Sequence, residues 1–284
     1  MPDEKNNITN KFAMDELEKL TKKIISCMPI HIEHNFMGFS KMIADNSIKD
    51  NNCMRCLFLC NLCFSYHNYF GRKQNTSAKE MAVLYNLTTS LLENTKGLLF
   101  SYMLNDHLTV IQKYRMVYEC YVIFLFINSH IDLAVPFLEN IKIIENKIYK
   151  DIENYSAFKE NNISKDDLDY FGWTKNAIPE KSDRNLHYMA KNVGMDDKIG
   201  FLYKLSSNFI HTNSYSAFRQ KSFDKLFIQS FLPFVTDIMI RNVTMFLEKT
   251  DILDYQKTML RYLLVCVYYV LFPELKNSLN ENKS

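Results

Sequence analysis

Two groups of side chains have types and spacings suited to acid–base and phosphate chemistry. Arg115 and Glu119 stand four residues apart, so on a helix they share one face and can pair. An arginine fork held by a carboxylate suits the recognition of a phosphate. Tyr203, Ser207 and His211 stand at i, i+4 and i+8 and form a polar stripe beside the apolar Leu202, Leu205 and Phe209. His211 falls where this helix runs out into Thr212, Asn213 and Ser214. The helix dipole favours a charged histidine there, and histidine is the side chain that changes charge near neutral pH, as a general base must. Plainer roles compete: a surface ion pair worth about 0.3–0.5 kcal/mol and a helix-capping histidine. Glu119 opens a stretch that reads as buried, so its pair with Arg115 is either a structural clamp or part of a site.

A third group imitates a metal site. Cys53, Cys56, Cys60 and Cys63 make a C-x2-C-x3-C-x2-C run whose inner part has the spacing of radical iron–sulfur enzymes. On one helix these positions form a stripe, and the outer two lie about 15 Å apart. One tetrahedral zinc, with bonds of about 2.3 Å, cannot reach all four. The intervening Leu57, Phe58, Leu59 and Leu62 point to small residues packed against a neighbouring helix, so no metal and no cofactor is expected. His31, Glu33 and His34 lack the i, i+4 histidine spacing of a zinc protease and read as a solvated helix start after Pro29.

The elements that must position these residues are helices. Among 284 residues there are only 6 Gly and 6 Pro, too few for the many turns of a sheet protein. Helical periodicity is expected over Lys11–Met28 and His34–Ala44, then from Asn52 to about Tyr69 with a stop at Gly71. Ser77 followed by Glu80 has the pattern of a capping box for a helix that continues to about Asn105. Asp106–Ser129 reads as the most buried helix, apolar on every face after Glu119. Asp132 is placed to cap the next, reaching about Asn154.

Residues 155–182 are polar and irregular and include Trp173. A short helix follows from Ser182 or Asp183 to about Gly194, and others near 196–211, 215–248 and 252–272. The fold class is all-α, a bundle of about 9–11 helices. One helical domain is expected over 11–275, with its core in 76–154 and 196–272, between polar tails at 1–10 and 276–284.

Composition narrows the function classes. Hydrophobic residues make up 47%, and a chain of this length buries a sizeable core without disulfides. The formal net charge of +2 gives no whole-molecule field that draws in nucleic acid, though a local basic patch is compatible with it. Seven cysteines behind a polar start, MPDEKNNITN, read as reduced thiols in a cytoplasmic protein. The apolar runs Val117–His130 and Leu263–Phe272 fall short of the roughly 18–20 residues of a membrane span.

The order of segments is informative where single motifs are not. YRMVYECYVIFLFI with its Arg-x3-Glu, then WTKNA at Trp173, SDRNLHYMAKNVG, and LYKLSSNFIHTNSYS with Tyr-x3-Ser-x3-His resemble, over about residues 100–220, a bacterial family known only as domain of unknown function 5677. The arrangement is also reminiscent of the HEPN superfamily of helical bundles, many of whose members are metal-independent ribonucleases of toxin–antitoxin and phage-defence systems. That likeness implies a HEPN-like core, RNA or a nucleotide as ligand, and a site formed across a homodimer.

The HEPN pattern places an arginine before the histidine within one helix, with four to six residues between them. Here Ser206 and Ser207 stand in that region, and Arg184-Asn185-Leu186-His187 is too short. Arg115 would therefore supply the charge from another helix. The resulting expectation is a ribonuclease or toxin-type effector with His211 as base, Arg115 on the phosphate and Glu119 orienting Arg115. Tyr203, Ser207, Trp173 and Arg184 would be binding residues. The alternative is a non-catalytic binding or sensor module that engages a protein partner and in which Arg115, Glu119 and His211 form a structural polar network.

Overall fold

The computed structural model describes residues 52–73, 78–149, 170–195 and 231–250, with Tyr203, Ser206, Leu253, Asp254, Lys257 and Thr258. Among these the protein is all-α, with no strand. Six helices are present among the described residues: α1 (Asn52–Lys73), α2 (Lys79–Met103), α3 (His107–Ser129), α4 (Ala134–Tyr149), α5 (Leu186–Asn192) and α6 (Phe231–Glu248). The expected tails, the helices at 11–28 and 34–44, the His31–His34 cluster and the segment 263–272 lie outside the described residues.

Side-chain contacts fix the directions of the core helices. The Cys53 thiol meets the Leu99 carbonyl and the Cys60 thiol that of Leu92, so α1 and α2 are antiparallel. The contacts Lys113–Asn94 and Cys120–Ser90 make α3 antiparallel to α2 as well. Cys56 touches Thr236 and His67 touches Phe246, so α6 runs parallel to α1. Helix α2 is therefore the hub, packed against α1, α3, α4 and α6. At Gly97 of α2 a Cβ would stand 3.3 Å from Lys113 Cε, the flexible end of a side chain on α3.

Helix α3 begins as its sequence implies: Asp106 is the N-cap and accepts a 3.1 Å hydrogen bond from the Thr109 N–H. Its buried residues include Tyr114, Val117, Tyr118, Tyr121, Val122, Phe124, Phe126 and Ile127. These wrap around more than one face, as expected of a helix enclosed by neighbours.

Other boundaries differ from expectation. Helix α1 does not stop at Gly71 but runs through it to Lys73. The glycine serves close packing: a Cβ would meet the Tyr85 ring at 2.2 Å. Ser77 lies outside the described residues; Ala78 is the N-cap of α2, with no side-chain cap hydrogen bond. Its carbonyl accepts from the Met81 and Ala82 N–H groups, and Glu80 sits in the first turn, where its charge complements the helix dipole. Asp132 lies in a 3-10 turn over Ile131–Leu133 that leads into α4.

The cysteine stripe faces inward as a packing surface. Cys53, Cys56, Cys60 and Cys63 are all buried. Burial pushes the Cys53 thiol up to about 11 and those of Cys56 and Cys60 to about 12, so at neutral pH they are protonated. Among the described residues no single helix is long and apolar enough to cross a membrane. One pair, His107–Ser129 with Ile131–Ile141, meets the length and composition together but is bent by 117°.

Candidate functional site

Helix α3 presents Arg115, Tyr118 and Glu119 at i, i+3 and i+4, hence on one side of the helix. Tyr203 covers them. Arg115 Nε donates to Glu119 Oε1 at 2.7 Å, and the Tyr203 hydroxyl donates to the same oxygen at 3.0 Å. The Arg115 guanidinium lies 5.2 Å from the centre of the Tyr203 ring, a cation–π contact. Tyr203 also stacks on Tyr118, with centroids 4.9 Å apart and planes 28° from parallel. One carboxylate oxygen thus joins an arginine of its own helix to a tyrosine that lies 84 positions beyond Glu119 in sequence.

The cluster sits at the protein surface. The Arg115 and Glu119 side chains are 26% and 34% exposed. Burial opposes the charge of Arg115, but its hydrogen bond to Glu119 and the neighbouring Tyr203 and Glu119 outweigh this and raise its pKa. Burial, reinforced by the Glu119 charge, pushes Tyr203 up to about 12, so its hydroxyl is a hydrogen-bond donor at neutral pH. The arrangement can hold an anion against a permanently charged, oriented guanidinium.

Tyr118 was not distinguished from its apolar neighbours by sequence reasoning. Its ring is buried and its hydroxyl donates to the Met195 carbonyl at 2.8 Å. That carbonyl is presented by the end of α5. Gly194, at φ +72°, makes the left-handed turn, and the Met195 N–H returns to the Ala190 carbonyl at 2.7 Å while the Gly194 N–H returns to Lys191 at 3.2 Å. The one available signal was the position of Tyr118 three residues after Arg115 on the same helix.

The other candidates are placed as follows. Ser207 and His211 lie outside the described residues. Trp173 is buried, edge-on to Phe137 at 5.0 Å and to Phe126 at 6.3 Å, and so anchors the segment before α5 to α3 and α4. Arg184 forks onto two backbone carbonyls, Nε to Ile178 at 2.9 Å and Nη2 to Pro179 at 2.6 Å. This closes the loop that precedes α5. With Lys181–Asp183 in a 3-10 turn, α5 starts later than expected, capped by Asn185, whose side chain accepts from the Tyr188 N–H at 2.9 Å. The structure therefore brings Arg115, Glu119 and Tyr203 together, and sets Trp173 and Arg184 in the segment whose end meets α3 at Tyr118. Among the described residues no group of three or more His, Cys, Asp or Glu side chains is placed to hold a metal ion.

A family described only as a family of unknown function (DUF5677) matches residues 81–225, a span that begins in α2 and contains Arg115, Glu119, Tyr203 and His211. No curated protein and no solved structure matches the chain.

Proposed function

The chain belongs to that family of unknown function, and on this premise we propose that it is an RNA-directed, metal-independent nuclease of the HEPN type, acting as a toxin or defence effector. The observation that carries this reading is the oriented, partly exposed guanidinium of Arg115, held by Glu119 at 2.7 Å and backed by the Tyr203 ring. A fixed arginine of this kind stabilises the charge that builds on a phosphate during transesterification. His211, eight residues after Tyr203 on the polar stripe, takes the 2′-hydroxyl proton. The freed oxygen attacks phosphorus, the 5′-oxygen leaves and takes a proton from water, and the products are a 2′,3′-cyclic phosphate and a 5′-hydroxyl end. Ser207 and Tyr203 position the histidine and the phosphate. The HEPN likeness supports a homodimer, with the two copies contributing to the site.

The test is cleavage of single-stranded RNA by wild type beside Arg115→Ala. Loss of phosphate stabilisation costs about 10²–10³ in rate, by analogy with the removal of one preorganised donor. Equal rates would remove Arg115 from the mechanism.

One observation favours a second reading. Glu119 Oε1 accepts from both Arg115 and Tyr203, which ties distant parts of the chain together and suits a structural network in a protein-binding or sensor module. Glu119→Gln separates the two. As the pair is a quarter to a third exposed, the nuclease reading expects a stability loss below about 1 kcal/mol with a large loss of cleavage. The network reading expects the reverse.

A further inference from the structure

We infer that Tyr118 is a positioning residue that couples the docking of residues 170–195 to the setting of Arg115. This inference concerns regulation of the proposed RNA site and takes the role of Arg115 from that reading. Three sets of contacts carry it.

The first makes residues 170–195 a unit that is locked internally and seated on α3 and α4. Arg184 ties the loop to itself through the Ile178 and Pro179 carbonyls. Trp173, Ile178, Leu186, Met189 and Ala190 are buried in the common core. The Asn140 side chain of α4 donates to the Tyr170 carbonyl at 3.2 Å.

The second is the link from this unit to α3. The left-handed turn at Gly194 aims the Met195 carbonyl at the Tyr118 hydroxyl, at 2.8 Å. The hydrogen bond fixes the Tyr118 ring only while the turn is in place.

The third runs from Tyr118 to the site. Tyr203 rests on the Tyr118 ring at 4.9 Å, its hydroxyl meets Glu119 at 3.0 Å, and its face carries Arg115 at 5.2 Å. If Tyr118 turns, Tyr203 loses its support, Glu119 loses a donor and the guanidinium loses its backing. By linkage the coupling is reciprocal: a phosphate bound at Arg115 favours the seated form of 170–195.

The experiment reads the site without RNA. In the uniformly ¹⁵N-labelled full chain, the Arg115 Nε–H resonance is assigned by its loss in Arg115→Lys. Its exchange with solvent is then followed in wild type, Tyr118→Phe and Arg184→Gln, with circular dichroism recording the fold. Tyr118→Phe keeps the ring and removes the hydroxyl that donates to the Met195 carbonyl. Arg184→Gln loosens the unit from its far side. Both variants should accelerate Nε–H exchange by about tenfold, the scale of one ordinary hydrogen bond, with helicity retained. Wild-type exchange in either folded variant would overturn the coupling, since a purely structural role lowers the melting temperature without touching this resonance. Should Tyr118→Phe fail to fold, Arg184→Gln decides alone. Adding a single-stranded decaribonucleotide to wild type separates the two claims. No shift of the resonance, with coupling intact in the variants, would refute the RNA reading and leave the positioning role standing.

Discussion

The buried histidine His67 gives the stability of this protein a defined dependence on pH. Its ring is inaccessible to solvent, stacked on Tyr85 at 4.3 Å and edge-on to Phe246 at 4.8 Å. Nε2 lies 2.8 Å from the Thr89 hydroxyl, which itself donates to the Tyr85 carbonyl at 3.0 Å. The histidine is therefore the donor in the first contact, and Nδ1 is left as a buried acceptor without a partner among the described residues. Burial lowers its pKa from 6.5 to about 4.

The unfolded chain thus binds a proton that the folded chain refuses. The protein has its full stability above pH 6.5, loses it progressively as the pH falls toward about 4, and loses no more from this residue below that. The displacement corresponds to about 3 kcal/mol, at about 1.36 kcal/mol per pH unit. Urea unfolding of wild type and His67→Phe between pH 4 and 8 isolates this contribution. The phenyl ring keeps the stack, and Thr89 keeps its bond to Tyr85. The difference between the two proteins should change by about 3 kcal/mol across the window, in favour of the variant at low pH. Parallel stability curves would refute a neutral, buried His67.

Two glycines of the same core should respond oppositely to alanine. Gly71→Ala drives a Cβ to 2.2 Å from the Tyr85 ring, which is stacked on His67, and should cost about 1–3 kcal/mol in urea unfolding. Gly97→Ala meets only the flexible end of Lys113 at 3.3 Å and should gain up to about 1 kcal/mol from helix propensity. Asn242 is fully buried, and among the described residues neither its amide oxygen nor its nitrogen has a hydrogen-bond partner. Asn242→Leu removes both unpaired groups at similar volume and should raise thermal stability by about 1–3 kcal/mol, and a lower melting temperature would show that the amide has a partner.

What the sequence reveals depends on how local the determining interaction is. Helix α3 was legible because its signals lie within itself: Asp106 caps the Thr109 N–H three residues on, and apolar residues on all sides follow Glu119. The Arg115–Glu119 pair was legible for the same reason, as a four-residue spacing on one helix. The burial of the cysteine stripe was legible because its spacing sets all four along one helix among apolar neighbours.

Gly71 was misread because punctuation rules treat a glycine as a helix stop. Here its function is a close approach to Tyr85, which the sequence does not encode locally. Ser77 and Glu80 have the spacing of a capping box; Ala78 is the N-cap of α2, and Ser77 lies outside the described residues. Tyr203 was chosen for its polar stripe, whereas its partners, Glu119 and Tyr118, belong to a helix 84 or more positions away. Tyr118 was hidden among apolar residues because its hydroxyl donates to a backbone carbonyl, which no side-chain pattern betrays. His211 and Ser207 remain sequence assignments, outside the described residues.

The most direct test of the central claim is cleavage of a single-stranded RNA by purified wild type and His211→Ala in EDTA, with end groups identified and oligomeric state recorded by light scattering. The account predicts that wild type cleaves as a dimer, leaving 2′,3′-cyclic phosphate ends, while folded His211→Ala is inactive. Cleavage by His211→Ala at the wild-type rate, or no cleavage by folded wild type, would contradict it.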